Sequence, residues 1–139
     1  MRRQIPELGP LEFKLLRTLW RISPASAKEV QEEYNRRSGK DLKYTTVMTL
    51  LTRLAEKDVL KVDRERQPFK FVPAVSREQM LRQRVHEFVD LFFDGQPVDL
   101  AVRLVEETDL SEESLRRLEE TLERHKSFPK PREHGEELN

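Results

Sequence analysis

The stretch that decides the fold is Tyr44-Thr45-Thr46-Val47-Met48-Thr49-Leu50-Leu51-Thr52-Arg53-Leu54. Its apolar residues recur every three or four positions, which predicts a helix from about Tyr44 to Lys57. The core-facing residues of that helix would be Val47, Leu50, Leu51 and Leu54. At about 100° per residue, the opposite side carries Thr45, Thr49 and Thr52, with Arg53 beside them. A Thr methyl can pack on the thymine methyl, and Arg can pair with guanine or bind phosphate. The segment therefore predicts a helix that reads DNA.

Threonine is unusually frequent in this helix. Four of the eight residues from Thr45 to Thr52 are Thr. A single exposed Thr is usually only solvated, but Thr is also a mediocre helix former. Four of them in so short a segment would be a poor choice for a helix that merely faces water, so the cluster favours a functional face.

Two helices are predicted before this segment. Apolar residues at helical spacing predict the first, from Leu8 to about Ile22, and Pro10 suits its first turn. Ser26 and Glu29 form a capping box, in which each side chain bonds a free backbone amide of the other residue. This box predicts a second helix from about Ala27 to Arg36.

A β-hairpin is predicted after the segment. Residues 59–63 and 69–72 alternate apolar and polar side chains around the charged residues 64–68, which is typical of a short two-stranded ribbon. With the three helices, the hairpin predicts a mainly α fold that begins with an N-terminal winged helix-turn-helix in residues 1–75. The hairpin would be its wing.

Cations near the hairpin tip would lie along the DNA backbone. Charged hairpin tips are also common solubility features, and Lys43, just before the helix, could equally be a solvated loop residue. Taken together, the helix and the hairpin predict these DNA-binding residues: Lys43, Thr45, Thr46, Thr49, Thr52, Arg53, Arg64, Arg66 and Lys70.

Residues 76–125 predict a C-terminal helical dimerisation region. A long helix after Ser76, a short one around Leu104 and a third after Ser111 each carry an apolar face. Three such helices without a sheet are too few to close a core, so we expect them to pack on a second chain. A ligand pocket is the alternative use of the stripe on the long helix. The predicted dimer contacts are Leu81, Val85, Phe88, Phe92, Leu104, Leu115, Leu118 and Leu122. The polar residues 126–139 predict a disordered tail.

Charge and composition narrow the class of protein. Residues 1–75 hold 16 Lys and Arg against 10 Asp and Glu, and residues 76–139 hold 10 against 16, so a basic contact module precedes an acidic one. The absence of cysteine excludes disulfides and thiolate metal sites. No apolar run reaches the roughly 18 residues of a membrane span, so we expect a soluble, cytoplasmic protein without direct membrane binding.

The sequence carries no signature of an enzyme. His86, His125 and His134 lack the spacing of metal ligands, and neither a Gly-rich phosphate loop nor a nucleophile elbow is present. We therefore expect no catalytic residues, no metal and no cofactor.

The Tyr44–Leu54 segment, with the following Glu56-Lys57 and the hairpin, resembles the penicillinase-repressor (BlaI/MecI) family. The resemblance covers about residues 8–125. It continues in Leu11-Glu12 and Leu19-Trp20 of the first helix, Ala27-Lys28-Glu29-Val30 of the second, Pro73-Ala74-Val75-Ser76-Arg77-Glu78 at the junction, and Phe92-Phe93-Asp94-Gly95 and Leu110-Ser111-Glu112-Glu113 in the C-terminal region.

The resemblance implies a transcriptional repressor connected with antibiotic resistance. Such a repressor is a homodimer that binds an inverted-repeat operator and occludes a promoter until an inducing signal arrives. In the family, one release route is cleavage of the C-terminal region downstream of a membrane sensor protease, at a bond between Asn and Phe. This chain has Arg103 and Leu104 there, and it lacks the C-terminal cysteines of copper-responsive relatives. Release by proteolysis, by a ligand or by another route stays open, as do a winged-helix protein-interaction module and a direct ligand sensor.

Overall fold

The computed structural model describes residues 4–129. Within that range the chain forms six helices and one two-stranded sheet: α1 (Pro10–Ile22), α2 (Ala27–Ser38), α3 (Tyr44–Glu56), β1 (Leu60–Asp63), β2 (Lys70–Pro73), α4 (Arg77–Phe93), α5 (Pro97–Glu107) and α6 (Glu112–Ser127). The chain divides into two compact units, the first ending at Phe88 and the second beginning at Val89. Three helices followed by an antiparallel hairpin and further helices confirm the predicted fold class.

Capping side chains begin the first two helices, because the first amides of a helix have no acceptor within it. In α1, the Glu12 carboxylate accepts from the Gly9 amide at 2.7 Å. In α2, the Ser26 amide donates to Glu29 at 2.8 Å, and the Glu29 amide donates to the Ser26 hydroxyl at 3.2 Å. The predicted capping box of α2 is confirmed.

Small differences separate the predicted and observed helix ends. The first helix begins at Pro10 rather than Leu8, because proline supplies no amide and fits the first turn. The second continues to Ser38, two residues beyond the predicted end. Gly39, with φ of 74°, then ends it in the left-handed conformation that glycine adopts without strain.

The core of the first unit lies where α1, α2 and α3 meet. Full burial of one large aliphatic side chain contributes about 1.5–3 kcal/mol, well above the differences in helix propensity, so packing sets the helix orientations. The buried side chains are Leu15, Leu16, Leu19, Ala25, Ala27, Val30, Tyr34, Val47, Leu51, Leu54, Val59, Leu60, Phe71 and Met80.

The hairpin is joined to the start of α2. Strands β1 and β2 are antiparallel, with Leu60 opposite Pro73 and Asp63 opposite Lys70. Ala25 and Phe71 exchange two backbone hydrogen bonds, at 3.2 and 2.7 Å, which attach β2 to the segment before α2. The wing is therefore fixed along its second strand by a third piece of extended chain.

The first unit includes the first part of α4. Met80 is buried in its core, and the Trp20 indole donates to the Val75 carbonyl at 2.9 Å. The Gln83 side-chain amide bonds both the backbone N–H and the carbonyl of Ile5, at 3.0 and 2.9 Å. The predicted boundary after residue 75 therefore lies within a packed region, because these contacts join residues more than 50 positions apart.

The second unit contains the end of α4 and the two following helices. Asp94 and Gly95 have φ of 50° and 76°, and they end α4. Pro97 stands in the first turn of α5, and the Ser111 hydroxyl accepts from the Ser114 amide at the start of α6. These positions agree with the predicted helices.

The last helix extends slightly further than the sequence predicted. It includes Lys126 and Ser127, which were assigned to a disordered tail beginning at residue 126. The rest of that tail, from residue 130, lies outside the described residues. Among residues 4–129, no helix combines the length and apolar character needed to cross a membrane.

A buried ion pair joins α1 to the end of α3. The Lys57 ammonium lies 2.7 Å from the Glu12 carboxylate, whose side chain is only 7% exposed, and also donates to the Glu7 carbonyl at 3.1 Å. Burial acts to raise the pKa of Glu12, but hydrogen bonds from Lys57 and from the Gly9 amide outweigh it. The pKa of Glu12 therefore lies below its ordinary value.

We expect Glu12→Gln to lower the free energy of unfolding at pH 7 by about 1–3 kcal/mol, because Lys57 loses its charged partner. A lowered pKa in the folded state stabilises the protein above the pKa of the unfolded carboxyl, and this contribution is lost as pH falls through the folded value. The deficit of the variant should therefore shrink in acid. Urea unfolding at several pH values measures it.

The matched control is Glu56→Gln, which changes an exposed carboxylate of α3. It should alter stability by no more than about 0.5 kcal/mol. A Glu12→Gln deficit that is absent, or that is the same at every pH, would contradict the stabilising role of this ion pair.

Candidate nucleic-acid interface

One side of α3 is buried against α1, α2 and β1. Val47, Leu51 and Leu54 have no solvent exposure, as the spacing predicted. Leu50, assigned to the same side, is only half-buried. It stands 100° from Leu51 around the helix, so it lies at the edge of the packed face.

The opposite side of α3 is exposed. Thr45, Thr49 and Thr52 lie within about 60° of one another around the helix, and all three are exposed, as is Arg53 beside them. Thr46 and the preceding Lys43 are exposed as well. The structure thus brings the six predicted residues of this segment to one accessible surface, and their contact with DNA stays a prediction.

Two amide side chains of α2 bind Leu42, just before the start of α3. The sequence analysis did not predict these contacts. Asn35 accepts from the Leu42 amide at 2.9 Å and donates to the Leu42 carbonyl at 3.1 Å. Gln31 donates to the same carbonyl at 2.9 Å. An Asn and a Gln four residues apart on one helix face were the available signal. They set where the exposed face of α3 begins.

The three predicted wing cations have different surroundings. Lys70 lies 3.0 Å from the Glu29 carboxylate of α2 and is 22% exposed. Arg66 pairs with Asp63 at 3.2 Å, and the guanidinium carbon of Arg64 lies 5.7 Å from the centre of the Phe69 ring. The Lys70 ammonium lies on α2, where it attaches the wing, and contact of these three cations with DNA stays a prediction.

The Lys70 contact affects the carboxylate that receives it. A hydrogen bond from the Ser26 amide is the main cause that holds the pKa of Glu29 below its ordinary value, and the bond from Lys70 adds to it. One carboxylate therefore caps α2 and also anchors β2.

Apolar side chains are exposed on the helices of the predicted dimerisation region. Each of the eight predicted contacts is at least 41% exposed within a single chain: Leu81, Val85, Phe88, Phe92, Leu104, Leu115, Leu118 and Leu122. None of the residues in α5 or α6 is buried. Their contact with a second chain stays a prediction.

The predicted cleavage position lies within a helix. Arg103 and Leu104 stand in the middle of α5, and Arg103 pairs with Glu107 at 3.0 Å. In the described part of the chain, no group of three or more His, Asp or Glu side chains is placed to hold a metal ion.

The comparison with known proteins assigns the family. A family model described as penicillinase repressor matches residues 8–124. The chain belongs to the penicillinase repressor family. Its members are transcriptional repressors, which are not enzymes.

The chain is also similar to individual known proteins. The penicillinase repressor of Bacillus licheniformis is 27% identical over 92% of this chain and 98% of its own length. The methicillin resistance regulatory protein MecI of Staphylococcus aureus is 25% identical over 84% of this chain and 93% of its own. A solved structure of Bacillus licheniformis BlaI, in its monomeric form with the blaP half-operator, covers 56% of this chain and 93% of that one, at 23% identity and a TM-score of 0.46.

We expect Lys70→Met to raise the pKa of Glu29, because one of the hydrogen bonds that stabilise its charged form is removed. The pKa should still stay below its ordinary value, since the Ser26 amide remains. Carboxyl NMR titration of the wild type and the variant measures the pKa of Glu29 in each. Lys61→Met, a change in the neighbouring strand, is the control and should leave Glu29 unaffected. If Lys70→Met leaves the titration unchanged, the assignment of Lys70 to α2 is wrong.

Proposed function

We propose that this repressor binds operator DNA as a homodimer, occludes a promoter, and reads the operator with the exposed face of α3. The main observation behind the proposal is that one side of α3 is buried and the opposite side is exposed. Val47, Leu51 and Leu54 on its apolar side have no exposure. Thr45, Thr49, Thr52 and Arg53 face outward. Membership of the penicillinase repressor family supports the assignment to repression.

The exposed face of α3 suits the major groove. That groove is about 12 Å wide and admits one helix, so side chains on the outer face reach the base edges. Thr45 and Thr49 can contact thymine methyl groups, and Arg53 can bind guanine through two hydrogen bonds. The buried side of α3, held at both ends by polar contacts, supplies a rigid base for these contacts.

The charge of the first unit supports binding to a polyanion. Residues 1–88 hold 19 Lys and Arg against 12 Asp and Glu, whereas residues 89–139 hold 7 against 14. Neutralising about 6–10 phosphates would make binding about 10³–10⁵-fold weaker at 200 mM than at 50 mM salt. A strong salt dependence is therefore part of the proposal.

A second copy of the chain is the proposed partner of the C-terminal helices. Leu104 of α5, and Leu118 and Leu122 of α6, are between 43% and 60% exposed in one chain. A two-fold dimer would bury these faces against one another, and its symmetry would match an inverted-repeat operator. Two linked reading helices would then bind both half-sites together.

We propose that release acts on these helices in the cytoplasm, and we assign the chain no catalytic activity. Loss of the dimer removes the second half-site and with it most of the operator affinity. A sensor protease or a downstream protease that cut between Arg103 and Leu104 would first have to unwind α5, because an intact helix keeps its backbone hydrogen-bonded.

We expect Arg53→Ala to weaken binding by about 1–3 kcal/mol and to relax discrimination at one operator position. The probe is a duplex selected by the full-length protein from a random-sequence pool, hereafter the selected duplex. Fluorescence anisotropy with that duplex and its single-base variants measures both effects. Arg17→Ala, an exposed arginine of α1, is the control and should bind as the wild type does. Equal losses for the two variants would contradict reading by α3.

We expect Leu118→Glu to convert the dimer into monomers, because it introduces a charge into the apolar face of α6. Sedimentation equilibrium measures the change. The variant should also bind the selected duplex no better than a half-site. Arg117→Glu adds a negative charge next to it on the same helix and should leave the dimer intact. A Leu118→Glu protein that stays dimeric would rule out this face as the seam.

A further inference from the structure

We propose that Phe69 is a positioning residue that holds Arg64 ready to bind a phosphate oxygen of DNA, and that Arg64 is the principal DNA contact of the wing. The inference rests on the proposed function, which it extends from α3 to the hairpin. It follows from the different surroundings of the three wing cations.

Arg64 differs from the other two cations in its partner. Its guanidinium carbon lies 5.7 Å from the centre of the Phe69 ring, within the range of a cation–π contact. Lys70 and Arg66 are each paired with a carboxylate. Within residues 4–129, Arg64 forms no such ion pair. No ion pair among these residues therefore neutralises its positive charge.

Contact with an aromatic ring leaves the hydrogen-bonding capacity of an arginine intact. A guanidinium meets the ring through its flat face, while its five N–H groups lie in its plane and point outward. Arg64 can thus keep its contact with Phe69 and bind phosphate at the same time. Arg66 differs because the carboxylate of Asp63, 3.2 Å from its Nε, partly neutralises its charge.

The start of β2, directly after Phe69, is fixed in place. The next residue, Lys70, is bound to Glu29, and the one after it, Phe71, exchanges two backbone hydrogen bonds with Ala25. The ring is therefore attached to the first unit through two neighbouring residues. Arg64, which lies at the hairpin tip, loses side-chain freedom on this ring before DNA arrives, so less freedom remains to be lost on binding.

The contribution of Phe69 to DNA binding should depend on the presence of Arg64. We expect Arg64→Ala to weaken binding to the selected duplex about tenfold or more and to lower the slope of log affinity against log salt by about one per subunit. We expect Phe69→Leu to weaken binding about two- to fivefold without changing that slope. In the Arg64→Ala background, Phe69→Leu should have no further effect.

Three variants serve as controls. Phe69→Trp keeps an aromatic face and should restore binding lost in Phe69→Leu. Val72→Ala changes a β2 side chain that is 36% exposed, against 37% for Phe69, and should bind as the wild type does. Lys28→Gln combined with Glu32→Gln removes an exposed ion pair of α2 at constant net charge, and should leave the salt slope unchanged. Thermal unfolding of each variant verifies that the wing variants remain folded.

Several results would overturn the inference. If Phe69→Leu weakened DNA binding equally with and without Arg64, the ring would contribute only to the stability of the wing and would not position Arg64. A loss in Arg64→Ala that depends on one base pair would assign Arg64 to a base edge instead of a phosphate. Wild-type-like binding by Arg64→Ala, with binding lost in Arg53→Ala, would overturn the wing assignment alone. Absence of wild-type binding to any selected duplex would overturn the proposed function as well.

Discussion

The rest of the structure depends on the burial of one side of α3. Val47, Leu51 and Leu54 are fully enclosed, so the helix cannot rotate about its axis without exposing them or burying Thr and Arg side chains. The same packing that closes the small core therefore fixes which side chains face outward. Asn35 of α2 binds Leu42 just before the helix, and Glu12 of α1 binds Lys57 just after it. These polar contacts also set the position of α3 along its axis.

The second unit differs from the first because its last two helices have no buried residues. Its helices are amphipathic, but among the described residues of α5 and α6 none is buried. Apolar faces of this kind lose their contact with water only against another surface. In the proposed dimer, the apolar residues would divide between a core closed by one chain and a surface covered by a second copy.

The sequence predicted those features that depend on neighbouring positions. The two faces of α3 follow from helical periodicity, and the cap at Ser26 follows from a spacing of three residues. Contacts between distant positions were missed, because no local pattern encodes them. Lys70 meets Glu29 across 41 positions, and Met80 joins the core from beyond the predicted domain boundary. The sequence placed Lys70 near the hairpin tip as a cation for DNA, and it could not show the ion pair with Glu29.

The most direct test of the account is to map where DNA touches the full-length protein by amide NMR with the selected duplex. The account predicts shifts concentrated at residues 43–53 and at the hairpin tip, with little change on the exposed side of α1. That side offers the competing basic surface, since Lys14, Arg17 and Arg21 are exposed on it. Shifts centred on Arg17 and Arg21, with α3 unaffected, would contradict the account.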